Sequence, residues 1–208
     1  MSPDPQTPMT DINIEPNTRN PFQLSNLPTI LNTTATMINY LSLHAIRALI
    51  TGIENDPDNT SEVKGLMNTI LVYYFHGDLG FVVEPQIQIN DGRGLLFRVR
   101  RWYPGREDSV VRAWVKAEIP TDRAQESMDE LTDAIEKSNI ASGRCWAILA
   151  VGTDFSSYEY RRDLPVGQRL APWCPLNQSS NTFHVRRDCD VIHWMLTRMM
   201  QEDESPAH

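Results

Sequence analysis

Val110-Val-Arg-Ala-Trp-Val-Lys-Ala-Glu-Ile-Pro120 lies midway through Phe81–Tyr160, a stretch that reads strand, strand, strand, helix, strand. Side chains alternate along a strand, so residues two apart share a face. Ala113, Val115, Ala117 and Ile119 therefore make one apolar face, and Lys116 and Glu118 point the other way. Pro120 stops the strand because it has no amide hydrogen for the ladder. A lysine and a carboxylate side by side on one strand face are suited to holding a cation and a phosphate.

Upstream, Phe81–Ile89 and Leu95–Tyr103 read as a strand pair around Asn90-Asp-Gly-Arg-Gly94, since Asp-Gly and Gly tolerate positive φ. Pro104-Gly105 and Glu107-Asp108 make the next turn, and Ser109–Ile119 is the third strand. Downstream, a helix is predicted over Asp122–Lys137 with Met128, Leu131, Ala134 and Ile135 inward. Cys145–Val151 is nearly continuously apolar, which predicts a central strand buried on both faces. Gly152 turns the chain into a further strand, Phe155–Tyr160. Leu164–Pro175 reads as a loop, and Asp188–Met200 as a last helix carrying Val191, Ile192, Trp194, Met195 and Met199.

Two helices precede the strands. The first spans about Thr34–Ile53, with Met37, Ile38, Leu41, Leu43, Ala45, Ile46, Leu49 and Ile50 in a broad stripe. The second runs from Ser61, read as its N-cap, to Asp78, and Gly80 closes it. Between them, Glu54–Thr60 is a turn cluster. Residues 1–28, rich in Pro, Asn, Thr and Asp, are expected to form a flexible polar tail, and 201–208 an acidic one. The expected organisation is one α/β domain over 29–200 with its core at 61–160. A central mixed β-sheet, built as three-strand meander, helix and strand, is flanked by helices.

The chain has 208 residues and a net charge of −8, which argues against a generally basic nucleic-acid coat protein. One region runs against that balance: Arg93, Arg98, Arg100, Arg101, Arg106, Arg112 and Lys116 face only Glu107 and Asp108. Cys145, Cys174 and Cys189 are odd in number and too widely spaced for a Cys-x-x-Cys motif, so reduced cysteines in an intracellular protein, cytoplasmic or nuclear, are expected. No apolar run of about eighteen residues predicts a membrane span. The N-terminus lacks the charged and apolar regions of a secretory signal.

Three features resemble the PD-(D/E)XK, or restriction-endonuclease-like, superfamily, most closely the N-terminal nuclease domain of type I restriction enzyme R subunits. Ser61-Glu62-Val63 opens a helix that ends at Gly80-Phe81, like the family's Glu-bearing first helix. Val115-Lys-Ala-Glu-Ile119 is similar to the apolar strand ending in its Glu-x-Lys. Cys145-Trp-Ala-Ile-Leu-Ala-Val-Gly-Thr-Asp-Phe155 is similar to the strand and turn near the end of that core. The resemblance implies a restriction-endonuclease-like core and metal-dependent phosphodiester cleavage. In such chemistry carboxylates bind Mg²⁺ or Mn²⁺ while a lysine orients water or neutralises charge.

Carried over, the third-strand Glu falls on Glu118, and the Lys two positions later falls on Pro120. Shifting the register to make Lys116 that Lys puts the Glu on Trp114. The second-strand Asp falls near Arg98. Glu62 matches the accessory carboxylate. The triad is incomplete in either register, so the expectation is a degenerate, inactive copy with no cofactor. Were it active with relocated residues, the catalytic set would be Glu118, Lys116 and Glu62, with Glu118 and Glu62 on the metal.

Arg98, Arg100 and Trp102 alternate onto one strand face, where guanidinium groups contact phosphate and an aromatic ring stacks on a base. Arg161-Arg162 and Arg186-Arg187 would widen that patch if the fold brings them near. Cys174, His184, Cys189 and His193 supply zinc-ligand types, but at a spacing that matches no common finger. No phosphate-binding glycine loop or nucleophile elbow occurs. The alternative partner is protein. In that reading Leu43, Met195 and Met199 dock another chain or a second copy.

Overall fold

The computed structural model describes residues 39–86, 94–121, 124–138 and 140–202. The expected polar tail at 1–28, the end of the first expected strand at 87–89 and residues 90–93 of the expected hairpin loop Asn90–Gly94 lie outside these residues, as do 203–208; Gly94 itself opens a strand.

Helix α1 is His44–Asn55 and α2 is Thr60–Tyr74. Residues 34–38 of the expected first helix lie outside the described residues, and its described part is interrupted: a 3-10 turn, Tyr40–Ser42, ends at Leu43, whose backbone is extended. Tertiary bonds hold that turn. The Asn39 side chain accepts from the Leu41 amide, and the Tyr40 hydroxyl donates to the Val185 carbonyl at 2.6 Å. The buried stripe of α1 is therefore narrow, Ile46, Ile50 and Ile53, and Leu43 and Ala45 face outward.

Asn59, two residues before the expected Ser61, caps α2 by accepting from the Glu62 amide. The helix ends at Tyr74. Gly80 closes the following 3-10 turn with φ of 79°, where a Cβ would lie 2.4 Å from the Trp102 carbonyl oxygen, so glycine is required.

Strands β1 (Phe81–Pro85), β2 (Gly94–Arg101) and β3 (Val110–Glu118) form an antiparallel meander. Helix α3 (Ala124–Lys137) crosses over to β4 (Arg144–Val151), which pairs parallel with β3. β5 (Asp154–Arg161) returns antiparallel. Two short strands were not expected. β6 (Leu170–Pro172), inside the expected loop, pairs with the second half of β5, and β7 (Thr182–His184) with its first half. Three residues are too few for a periodic signal. The described residues form a mixed α/β fold with a seven-stranded mixed sheet and four α-helices, the last being α4 (Cys189–Gln201).

Alternation on β3 and β4 separates two cores. Ala113, Val115, Ala117, Trp146, Ile148 and Ala150 pack with buried residues of α1, α2 and α4. Trp114, Cys145, Ala147 and Leu149 pack with Leu131 and Ile135 of α3. β4 is thus buried on both faces, as its composition predicts. Each fully buried Ile or Leu contributes about 1.5–3 kcal/mol, which is why α4 turns Ile192, Met195, Leu196 and Met199 inward. Met195 and Met199 are fully buried, so they are core and not docking residues.

A β-bulge breaks the alternation once. Val99 pairs with Ala113 and Arg100 with Val111, leaving Arg112 unopposed. Its buried guanidinium turns to the C-terminal end of α4, where Nη2 reaches the Met199 carbonyl at 3.5 Å. A cation suits the negative end of a helix.

Candidate functional site

The face of β3 beneath α3 carries Trp114, Lys116 and Glu118. Alternation brings Lys116 and Glu118 together as the sequence indicates: Lys116 Nζ lies 3.1 Å from Glu118 Oε2. Helix α3 adds two more partners. Glu130 pairs with the same ammonium, and the Ser127 hydroxyl donates to Glu118 Oε1. Lys116, Glu118 and Ser127 are 5%, 6% and 2% exposed. Buried charge needs this pairing, because desolvation is otherwise uncompensated.

Glu62 is not part of this group. It sits at the start of α2, in the layer on the opposite face of the sheet, and its carboxylate fills the notch at Gly52 of α1. A Cβ on Gly52 would lie 1.9 Å from Glu62 Oε2, an atom that is buried without a hydrogen-bond partner. The two carboxylates of the expected metal pair are therefore on different sides of the sheet. Both Glu118 oxygens are already engaged, and the cation between Glu118 and Glu130 is the lysine ammonium. The residues present do not fit a divalent metal. Among the described residues no three His, Cys, Asp or Glu side chains converge as a metal set.

Arg98, Arg100 and Trp102 do come together. With Arg106 they line a cleft of about 620 Å³, walled also by the turn Glu107–Val110 and by Ile140. The Arg98 guanidinium lies 5.8 Å from the Trp114 ring centroid, and that of Arg100 lies 5.7 Å from Trp102. Trp102 is 43% exposed.

Sequence reading missed Glu84. It stands opposite Arg98 in the β1–β2 register, with Nε and Nη2 of Arg98 at 2.9 and 2.7 Å from Oε2. Its other oxygen meets Arg100 Nη2 at 2.6 Å. A signal existed: Glu84 and Arg98 are equidistant from Asp91, the first residue of the expected Asp-Gly turn. Opposite charges facing each other across a hairpin support pairing.

The remaining candidates lie elsewhere. Arg161 pairs with Asp163, holding that carboxyl below its usual range, and Arg186 pairs with Glu54 of α1. Neither arginine lines the cleft. His193 Nδ1 is 2.7 Å from the Tyr74 hydroxyl, while His184 Nδ1 accepts from the Arg186 amide. Cys174 donates to the Gln178 carbonyl. Among the described residues Cys174, His184, Cys189 and His193 do not form a metal-ligand group, in line with their spacing. Comparison with protein-family models, with curated proteins and with solved structures gave no match.

Proposed function

We propose that this protein is a non-catalytic, nuclease-like domain that binds nucleic acid through the β2 face. The observation that carries the reading is a separation. Lys116 and Glu118, the pair suited to phosphodiester chemistry, are sealed under α3, whereas Arg98, Arg100, Arg106 and Trp102 open onto a cleft. The meander, the α3 crossover and the parallel β3–β4 pair support the nuclease-like half of the reading, since they follow the helix, three-strand, helix, strand order that the resemblance implies.

The test is fluorescence anisotropy with labelled single strands between about 50 and 200 mM salt, where phosphate contacts weaken steeply. Arg98→Ala and Arg100→Ala together should reduce affinity by about tenfold or more. Salt-insensitive binding, or binding unmoved by the double substitution, contradicts the reading. A parallel cleavage assay with Mg²⁺ or Mn²⁺, with chelator, and with Glu118→Ala checks the catalytic half. Metal-dependent cutting that vanishes in Glu118→Ala would make the protein an enzyme with a rearranged site.

Protein docking is the second reading, and exposed apolar residues favour it. Trp194 on α4 is 47% exposed and stacks on Trp173, and Val72 on α2 is 51% exposed. Trp194→Asp, in place of a core methionine, tests it by partner capture or by change of oligomeric state.

A further inference from the structure

Glu84 grips both cleft arginines at once. One carboxylate oxygen serves Arg98 and the other serves Arg100, and all three side chains are about three-quarters covered. Phosphate offers guanidinium groups the same kind of acceptor edge as a carboxylate. Glu84 therefore occupies the place a phosphate would take. Arg100 Nε is buried there without a partner, and Trp102 lies two residues along the chain from Arg100, beyond the end of β2.

We propose that the cleft takes a nucleotide unit, its phosphate replacing the Glu84 carboxylate between Arg98 and Arg100 and its base stacking on Trp102. Glu84 is then a resident competitor that sets the affinity. This rests on the nucleic-acid reading above and adds the ligand unit and its control.

Charge supports the exchange. The cleft lining carries Arg98, Arg100 and Arg106 against Glu107 and Asp108, and Glu84, bound to Arg98 and Arg100, brings the set to neutrality. A phosphate gains little from long-range attraction and must displace a tethered acid. A tethered group competes at an effective concentration on the order of millimolar, so wild-type binding is weak and removal of Glu84 strengthens it. Size supports a single unit, because the cleft volume falls within the range of small-ligand pockets, roughly 300–1,000 Å³. A duplex offers no unstacked base to Trp102.

The experiment measures anisotropy of a fluorescein-labelled oligo(dA) single strand and of its duplex, with AMP as competitor, on wild type, Glu84→Gln and Arg100→Ala. Glu84→Gln should bind the single strand about tenfold more tightly than wild type, as expected when a competing state is removed. Its salt dependence should be steeper, the duplex should gain less, and Arg100→Ala should lose binding. AMP carries the one phosphate and one base that the cleft takes, so millimolar AMP should displace the strand; a strand that AMP does not displace overturns the single-unit ligand. Wild type that binds while Glu84→Gln binds no better overturns the role of Glu84 and leaves the nucleic-acid reading standing. No binding by either overturns both. Glu84→Ala, checked by circular dichroism, replaces Glu84→Gln if that variant does not fold.

Discussion

Lys116 Nζ lies 3.1 Å from Glu118 Oε2, two residues along one strand and beneath one helix. Removing one partner of a buried pair strands the other charge, which costs about 3–5 kcal/mol. Lys116→Met should destabilise by that amount in urea titration. Lys116→Met combined with Glu118→Gln should cost less than the sum of the two single changes, because the Glu118 charge stranded by the first change is removed by the second, while Glu130 loses the Lys116 ammonium with or without the second. Equal and additive losses would mean that the pair is not coupled.

The Gly52–Glu62 contact gives a second cycle. Gly52→Ala fills the space of the Glu62 carboxylate, so the longer side chain must swing away. On a Glu62→Ala background the clash is absent, and Gly to Ala inside α1 should stabilise by about 1 kcal/mol through helix propensity. The same substitution in the wild type should gain visibly less. Thermal unfolding of the four proteins measures the difference.

Gly80→Ala meets backbone instead of a movable side chain. Its φ of 79° disfavours any Cβ, and the Trp102 carbonyl stands in the way. A loss of about 2–3 kcal/mol is expected from left-handed strain plus the clash, read as a lowered unfolding midpoint. A neutral Gly80→Ala would show that the turn can rearrange.

Alkaline pH should weaken the fold. Burial pushes the Cys145 thiol well above its ordinary 9.0, and pushes the Tyr40 and Tyr74 hydroxyls above 10.0. The unfolded chain releases these protons first, so their contribution is complete below pH 9 and is lost as pH rises. Each affected group costs about 1.4 kcal/mol per pH unit beyond its unfolded value. Urea midpoints at pH 8 and 10.5 should differ accordingly, and Cys145→Ala should flatten the fall that begins near pH 9.

The five longer strands were legible because each carries a period-two pattern or an unbroken apolar run. Lys116 and Glu118 follow from the same alternation, as do Arg98 and Arg100. What local sequence could not supply was decided by distant contacts. The break at Leu43 depends on a bond from Tyr40 to Val185, far along the chain. The placement of Glu62 depends on a missing side chain in a neighbouring helix, and composition carries no sign of it. The burial of Lys116 comes from Ser127 and Glu130, which read from sequence as ordinary helix surface.

β6 and β7 share the outer edge of β5, one on each half. On the other flank, β1 is the last described strand, and it ends at Pro85. Stacking copies edge to edge into an indefinite ribbon needs two open borders on every subunit. Here one border is reduced to two three-residue edge strands, a length that gives an incoming strand little to pair with. The same two three-residue strands that were invisible in the sequence therefore blunt that edge against adding further strands.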